Sequence, residues 1–272
     1  MMMEKEYSPE GYLYKDAYLG NKDSYQSKIN YLAKMAQPEE WDYPGVNQSK
    51  DHFILKNYIL YTYDQVRYEG KIGISSDGNS MCFNTGLQTV NGNDIYAYFV
   101  KNLSPAAREG QDWYFIGFNQ GVDSRMKCFS NLPEIANYFT NPADFIYDRS
   151  LELIMDYDHI IDDNYDRFVD IGYTDKHVIK ALLMSATVSI KEKIKRNYKL
   201  AIPQYFTDKG TRESKIQLLL PLFLKGNNMH ADLALVVDKT QHNYIGKTIL
   251  TLEWAYVNSR RIVKPDVDWL KI

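Results

Sequence analysis

Three side chains in one acidic segment have the types and spacing of metal ligands. Asp156, His159 and Asp163 follow one another at three or four residues, so a helix would place them on one face. Carboxylate oxygens and an imidazole nitrogen can hold a divalent ion such as Mg²⁺, which would activate water for attack on a phosphodiester. The alternative is a solvated helix face on which Asp163 pairs with Arg167. No other cofactor is predicted.

A second segment, residues 191–206, interleaves cations with aromatic rings. Phosphates bind to mobile or forked cations and unpaired bases stack on aromatic faces, so this composition suits a groove for single-stranded nucleic acid. Amide side chains could read base edges, because they present a donor beside an acceptor. The alternative is a helix end whose cations complement the helix dipole. The candidate nucleic-acid-binding residues are Lys195, Arg196, Tyr198, Lys199, Gln204, Tyr205, Arg260 and Arg261.

The remaining polar residues and motifs give weaker indications of function. Asn84 and Thr85, in the segment FNTGL, could also contact a base or a ribose, although such residues more often close a turn. The sequence contains no GxxxxGK[ST], GxGxxG or GxSxG motif. It therefore gives no signature of a P-loop, a dinucleotide-binding fold or a serine hydrolase.

Composition limits the class of protein. The 272 residues are 44% hydrophobic and carry a net charge of −3, so the chain can bury a core and has no strong overall attraction to polyanions. The chain has two cysteines, no apolar run long enough to span a membrane and no signal-peptide core. These features predict a soluble cytoplasmic protein. The 23 tyrosines suit strands, partly buried surfaces or base stacking.

The first half of the chain predicts one helix followed by strands. Apolar residues at helical spacing predict a helix over residues 22–37, which Pro38 ends. Turn residues at 76–79 and 91–94 separate later segments rich in Tyr, Phe and Ile. These segments are predicted to form an antiparallel meander and cover residues 53–63, 71–75, 81–84, 95–100 and 113–118.

The second half predicts helices and then strands again. Helical periodicity covers residues 132–139, 151–168 and 175–197, the last with Thr174 as N-cap. Residues 216–224 predict a buried strand in which Pro221 requires an edge or a bulge. A hairpin is predicted from residues 233–238 and 248–256.

Strands at both ends with helices between them predict an α+β fold. We expect largely antiparallel sheet or sheets with a central helical layer, in a single domain. Residues 1–50 would form an N-terminal helix and joint, and residues 51–272 a single α+β domain with no internal boundary.

Nine segments together resemble a known family. They are residues 54–65, 83–87, 95–99, 113–118, 158–168, 196–206, 216–222, 233–239 and 264–270. In this order they resemble the bacterial family called domain of unknown function 3825, over nearly the whole chain after the first helix. The resemblance implies an RNA-associated setting and no particular reaction, because such domains are found beside cold-shock-like OB folds and RNA-binding helical domains. This chain is expected to be the bare domain.

Three functions stay open. The first is binding of RNA or another single-stranded nucleic acid in RNA processing or defence. The second is a metal-dependent phosphoesterase or nuclease that acts on RNA or a nucleotide. The third is a protein-interaction or oligomerisation domain, because Tyr enrichment also suits interfaces. We favour the first, which joins the basic segment to the resemblance, and we expect no membrane partner.

Overall fold

The computed structural model describes residues 11–42, 51–104, 107–138, 141–207, 214–226 and 230–270. Helices combine with two largely antiparallel five-stranded sheets, which confirms the predicted α+β class. Contacts within the chain divide it into two compact units, Met1–Asn137 and Tyr138–Ile272. The boundary after residue 50 and the single domain over 51–272 stay predictions. Across the described residues, none of the helices has the length and apolar character needed to cross a membrane.

The N-terminal unit is a sheet with helices on one face. Its elements are α1 (Tyr12–Asp16), β1 (Ala17–Tyr18), α2 (Lys22–Met35), α3 (Phe53–Tyr68), β2 (Gly73–Ile74), β3 (Ser80–Gln88), β4 (Asp94–Lys101) and β5 (Trp113–Gln120), followed by a 3-10 turn at Ser124–Cys128. The strand order is β1-β5-β4-β3-β2, and β1 is parallel to β5. Aromatic rings build the core: Phe99 lies 6.0 Å from Phe83 and 4.9 Å from Phe115, and Tyr63 of α3 lies 5.2 Å from Phe83.

The prediction of a strand over residues 53–63 is wrong, because this segment begins α3. Its Tyr and Ile content suggested a strand, but its buried residues Ile54, Leu55, Tyr58 and Ile59 follow the helical period. No Gly or Pro interrupts the sixteen residues of the helix. The spacing of apolar residues therefore outweighs their β propensity here.

The helix predicted over residues 132–139 is also wrong over its described part, residues 132–138, which contains no helix. Side chains in the last turn of α3 and just after it bind the backbone of this segment. Glu69 accepts a hydrogen bond from Asn137 N at 2.9 Å, Gln65 Nε2 donates to Asn137 O at 2.9 Å, and Lys71 Nζ donates to Ile135 O at 3.0 Å. Backbone groups bound in this way are not available for intrahelical hydrogen bonds.

The C-terminal unit contains the second sheet. Its elements are β6 (Glu152–Ile154), α4 (Tyr157–Asp163), α5 (Tyr165–Asp170), α6 (Lys176–Arg196), β7 (Ile202–Thr207), β8 (Ser214–Leu222), β9 (Leu233–Lys239), β10 (Asn243–Leu250) and α7 (Leu252–Arg260), with 3-10 turns at Pro142–Phe145, Tyr198–Leu200 and Asp268–Leu270. The strand order is β6-β10-β9-β8-β7, with β6 parallel to β10. Leu183 and Ile190 of α6 pack against Leu220 and Leu235 of the sheet in one core.

Pro221 has an edge-like position inside a central strand. β8 lies between β7 and β9, and Pro221 pairs with Ala234 of β9. On the other side, the pairing with β7 ends at Leu219, which lies opposite Ile202. The missing N–H of Pro221 therefore interrupts no hydrogen bond to β7.

Three boundaries in this unit differ from the prediction. The helix predicted over residues 151–168 is β6 followed by α4 and α5, which are separated at Asn164. α6 is capped by Asp175, whose Oδ1 accepts from His177 N at 2.8 Å, and not by Thr174. The second strand of the hairpin is β10, because Thr251 caps α7 where the strand was predicted to continue.

Candidate nucleic-acid interface

The C-terminal end of α6 brings four of the predicted residues together on the surface. Lys195 and Arg196 lie in the last turn of α6, and Tyr198 and Lys199 in the 3-10 turn that follows. All four are exposed, with Tyr198 at 57%. A helix that ends in cations also complements its own dipole.

Arg149 joins this group from a distant part of the sequence. It lies in the connection before β6, and its Nη1 donates to Lys195 O at 3.3 Å, one of the carbonyls that the end of α6 leaves without a helical partner. Its side chain is exposed. Sequence reasoning missed Arg149, because 46 residues separate it from Lys195. Arg149, Lys195, Arg196, Tyr198 and Lys199 form the surface called here the basic helix end.

Glu192 is paired with two cations of the basic helix end. Its carboxylate lies 2.7 Å from Lys195 Nζ and 3.1 Å from Arg196 Nη1. The hydrogen bonds from Lys195 and Arg196 lower the pKa of Glu192. All three side chains are at least half exposed, so solvent screens these pairs and a competing phosphate can replace the carboxylate.

The other four predicted residues have roles inside the C-terminal unit. Gln204 is buried, donating from Nε2 to Gln217 Oε1 at 2.8 Å and accepting from Asn258 Nδ2 at 3.2 Å. Tyr205 meets the Tyr138 ring edge to face at 5.0 Å. Arg261 Nη2 donates to Asn258 Oδ1 at 2.8 Å.

Arg260 is the fourth of these residues, and it is 8% exposed. Gln204, Tyr205 and Arg261 connect β7 to α7 and to Tyr138. In this arrangement they do not form part of the exposed basic helix end.

Gln204 begins a row of polar side chains that crosses the sheet. Gln204 lies opposite Gln217, and Gln217 Nε2 donates to Asp238 Oδ1 at 2.7 Å. Asp238, at 9% side-chain exposure, also accepts from Lys215 Nζ at 2.6 Å and lies 3.9 Å from Lys247 Nζ. The sequence signal was Gln217, which is the polar residue in the otherwise apolar segment 216–224, but its partners become evident only from the strand register.

The proposed metal ligands do not converge. His159 Nε2 and Asp163 Oδ2 are 3.2 Å apart on the exposed face of α4. Asp156 instead caps α4, and its Oδ1 accepts from His159 N at 3.2 Å. Within the described ranges, no group of three or more His, Cys, Asp or Glu side chains is placed to hold a metal ion.

The acidic segment makes ion pairs with α6. Asp158 lies 2.8 Å from Lys180 Nζ and Asp162 2.6 Å from Lys176 Nζ. The predicted pair of Asp163 with Arg167 is replaced, because Arg167 Nη1 donates to Asn164 Oδ1 and Ile249 O. The segment therefore joins α4 and α5 to the rest of the unit.

Asn84 and Thr85 are part of a bulge in β3. Asn84 is 2% exposed, and its Oδ1 accepts from Gly86 N at 2.9 Å. Thr85 Oγ1 donates to Ile95 O at 2.7 Å. Gly86 has a φ of +73°, a conformation that side chains disfavour, and an added Cβ would lie 2.7 Å from the Tyr58 hydroxyl. These polar groups shape the strand and are not presented to a ligand.

Comparison with known proteins identifies a family. The family described as Domain of unknown function (DUF3825) matches residues 32–269. No curated protein and no solved structure matches the chain.

Proposed function

The chain belongs to the DUF3825 family of domains of unknown function, and we propose that it binds single-stranded RNA through the basic helix end. The observation that carries this proposal is the group of four exposed cations, Arg149, Lys195, Arg196 and Lys199, beside the exposed ring of Tyr198. The cations would contact phosphates, and the ring would stack on one base.

The local charge supports this proposal despite the net charge of the chain. Four cations and Glu192 give a local charge of 4 − 1 = +3, whereas the whole chain carries −3. Charges farther away than about 8 Å are largely screened at physiological salt. The negative end of the α6 dipole, equivalent to about half a charge, does not outweigh these cations.

The choice of a single strand follows from the aromatic ring. Bases in an RNA duplex are stacked on each other, so Tyr198 could reach only an unpaired base. The choice of RNA is supported by the resemblance, which implies a setting beside RNA-associated modules.

Salt dependence tests the proposal. Fluorescence anisotropy of the full chain with labelled single-stranded RNA, single-stranded DNA and duplex RNA would be measured between about 50 and 200 mM salt. Three or four phosphate contacts at a slope of about −0.7 each predict a roughly 20- to 50-fold loss of affinity over this range. Duplex RNA should bind more weakly than the single strand.

Matched variants locate the surface. The triple variant Lys195→Ala, Arg196→Ala, Lys199→Ala should lose most binding and flatten the salt slope by about 2. A control with the same charge loss is Lys22→Ala, Lys34→Ala, Lys225→Ala, because these lysines are exposed elsewhere. Tyr198→Ala should weaken binding and Tyr198→Phe should retain it. Equal losses in both triple variants, or retained binding in the first, would refute the proposal.

A further inference from the structure

A cavity of about 230 Å³ lies in the N-terminal unit. It is formed by the end of α1, the C-terminal part of α3, the β2 and β3 strands and the start of β5. Its polar and aromatic lining includes Asp16, Tyr63, Arg67, Asp112 and Trp113. The volume is below the roughly 300–1,000 Å³ of pockets for drug-sized ligands, so it suits a single small ring system.

Arg67 lines the cavity and is held in place by two neighbouring side chains. Its Nε donates to Asp16 Oδ2 at 2.6 Å, and its Cζ lies 4.3 Å from the centre of the Tyr12 ring. Tyr63 donates to the same Asp16 oxygen at 2.8 Å, and burial raises the pKa of Tyr63, which keeps its hydroxyl protonated. In the described part of the chain, Nη1 and Nη2 of Arg67 make no hydrogen bond. A guanidinium fixed in this way is prepared to donate to a planar acceptor edge.

Asp112 provides a hydrogen-bond acceptor, whereas Arg67 provides donors. Its side chain is exposed, and among the described residues its carboxylate has neither a hydrogen bond nor an ion pair. Trp113 follows it, with Lys101 Nζ 5.4 Å from the centre of its ring. Ile72, Ile74 and Met81 supply the apolar part of the lining.

This combination selects the ligand. A simple anion would be repelled by Asp112 and would compete with Asp16 for Arg67, and a simple cation would leave the remaining Arg67 donors without an acceptor. A neutral planar base with both an acceptor edge and a donor edge satisfies both Arg67 and Asp112. Guanine has this arrangement, since O6 and N7 accept from arginine and the amino group donates to a carboxylate. We propose that the cavity binds a guanine base, with Arg67 on O6 and N7, Asp112 on the N1–H and amino group, and Trp113 as the stacking surface.

Nucleosides test this site independently of the basic helix end, because they carry no phosphate. Calorimetry of the full chain should show guanosine binding, with uridine at least about tenfold weaker because it lacks an amino donor. Guanosine that binds no better than uridine, or that does not bind at millimolar concentration, would overturn the proposal.

The variant Asp112→Asn gives a readout that misfolding cannot produce. An amide can donate to the 2-carbonyl of xanthine, which replaces the amino group of guanine. The variant should therefore weaken guanosine about tenfold and strengthen xanthosine. Asp23→Asn is the matched control, because Asp23 is exposed on α2 and outside the cavity. An unchanged preference in Asp112→Asn would refute the assignment of Asp112.

Two further arms complete the experiment. Trp113→Phe should retain guanosine binding and Trp113→Leu should lose about tenfold in guanosine affinity, because stacking needs a ring.

Guanosine monophosphate and an oligouridylate with one central guanosine distinguish a free nucleotide from RNA as the source of the base. Asp112→Asn should weaken whichever of the two is the natural form, and an effect on neither would count against the site.

Discussion

Replacing Gln204 with alanine tests whether this side chain supports the C-terminal unit or contacts a nucleic acid. The amide is 3% exposed and makes two hydrogen bonds, to Gln217 at 2.8 Å and from Asn258 at 3.2 Å. Each bond contributes about 0.5–1.5 kcal/mol, and the buried Gln217 oxygen would lose its donor. We therefore expect the free energy of unfolding to fall by about 2 kcal/mol.

Thermal unfolding followed by circular dichroism provides the assay. A loss of about 2 kcal/mol corresponds to roughly 6–10 °C in Tm for a unit of this size. The comparison variant is Tyr198→Ala, which removes an exposed side chain and should leave Tm within about 1 °C of the wild type. RNA binding would be measured at a temperature at which both variants are folded.

The two variants should show opposite behaviour. Gln204→Ala should lower Tm and leave RNA affinity within about twofold, whereas Tyr198→Ala should weaken RNA binding and leave Tm unchanged. A Gln204→Ala variant that melts like the wild type and no longer binds RNA would refute the reasoning. It would return Gln204 to the role of a base-contacting residue.

Three other predictions concern stability and reactivity. A thiol reagent should label Cys128, which is exposed, and not Cys82, where burial raises the pKa to about 12; Cys128→Ser should abolish labelling of the folded protein. Burial raises the pKa of Glu253 in the folded state. The free energy of unfolding therefore falls as the pH rises from the unfolded-state pKa of this carboxyl through its folded-state pKa. The gain in Tm from Glu253→Gln should therefore be larger at about pH 7.5 than at about pH 4. Asn164→Ala should cost about 2–4 kcal/mol in urea unfolding, because the amide accepts from Thr248 Oγ1 at 2.7 Å and from Arg167; a loss below about 1 kcal/mol would contradict this role.

Much of the local structure follows from the sequence. The α+β class, the helix at α2, the long helix α6 and the strands β3, β4, β5, β8 and β9 were predictable, because each has a clear period or clear turn residues around it. Residues 53–63 were predicted wrongly, since a segment rich in Tyr and Ile suits both strand and helix until its neighbours select one face.

The candidate sites also have one part that the sequence predicted and another that only the tertiary structure decided. The clustering of Lys195, Arg196, Tyr198 and Lys199 is local, so the sequence alone determined that these side chains would lie together at a helix end. Tertiary structure decided where α4 begins, because Glu152–Ile154 pairs with β10 and the helix starts only at Tyr157. Asp156 therefore becomes the N-cap of α4 and does not join His159 and Asp163 in a three-ligand group.

Contacts between distant segments could only come from the fold. Arg149 reaches the end of α6 across 46 residues, and Gln204, Gln217 and Asp238 meet through the register of three strands. Arg67 and Asp112 line one cavity although 45 positions separate them in the sequence. Sequence spacing determines which side chains share a face of one element. Which faces of different elements meet depends on how the whole apolar surface is buried, and this is decided only when the chain folds.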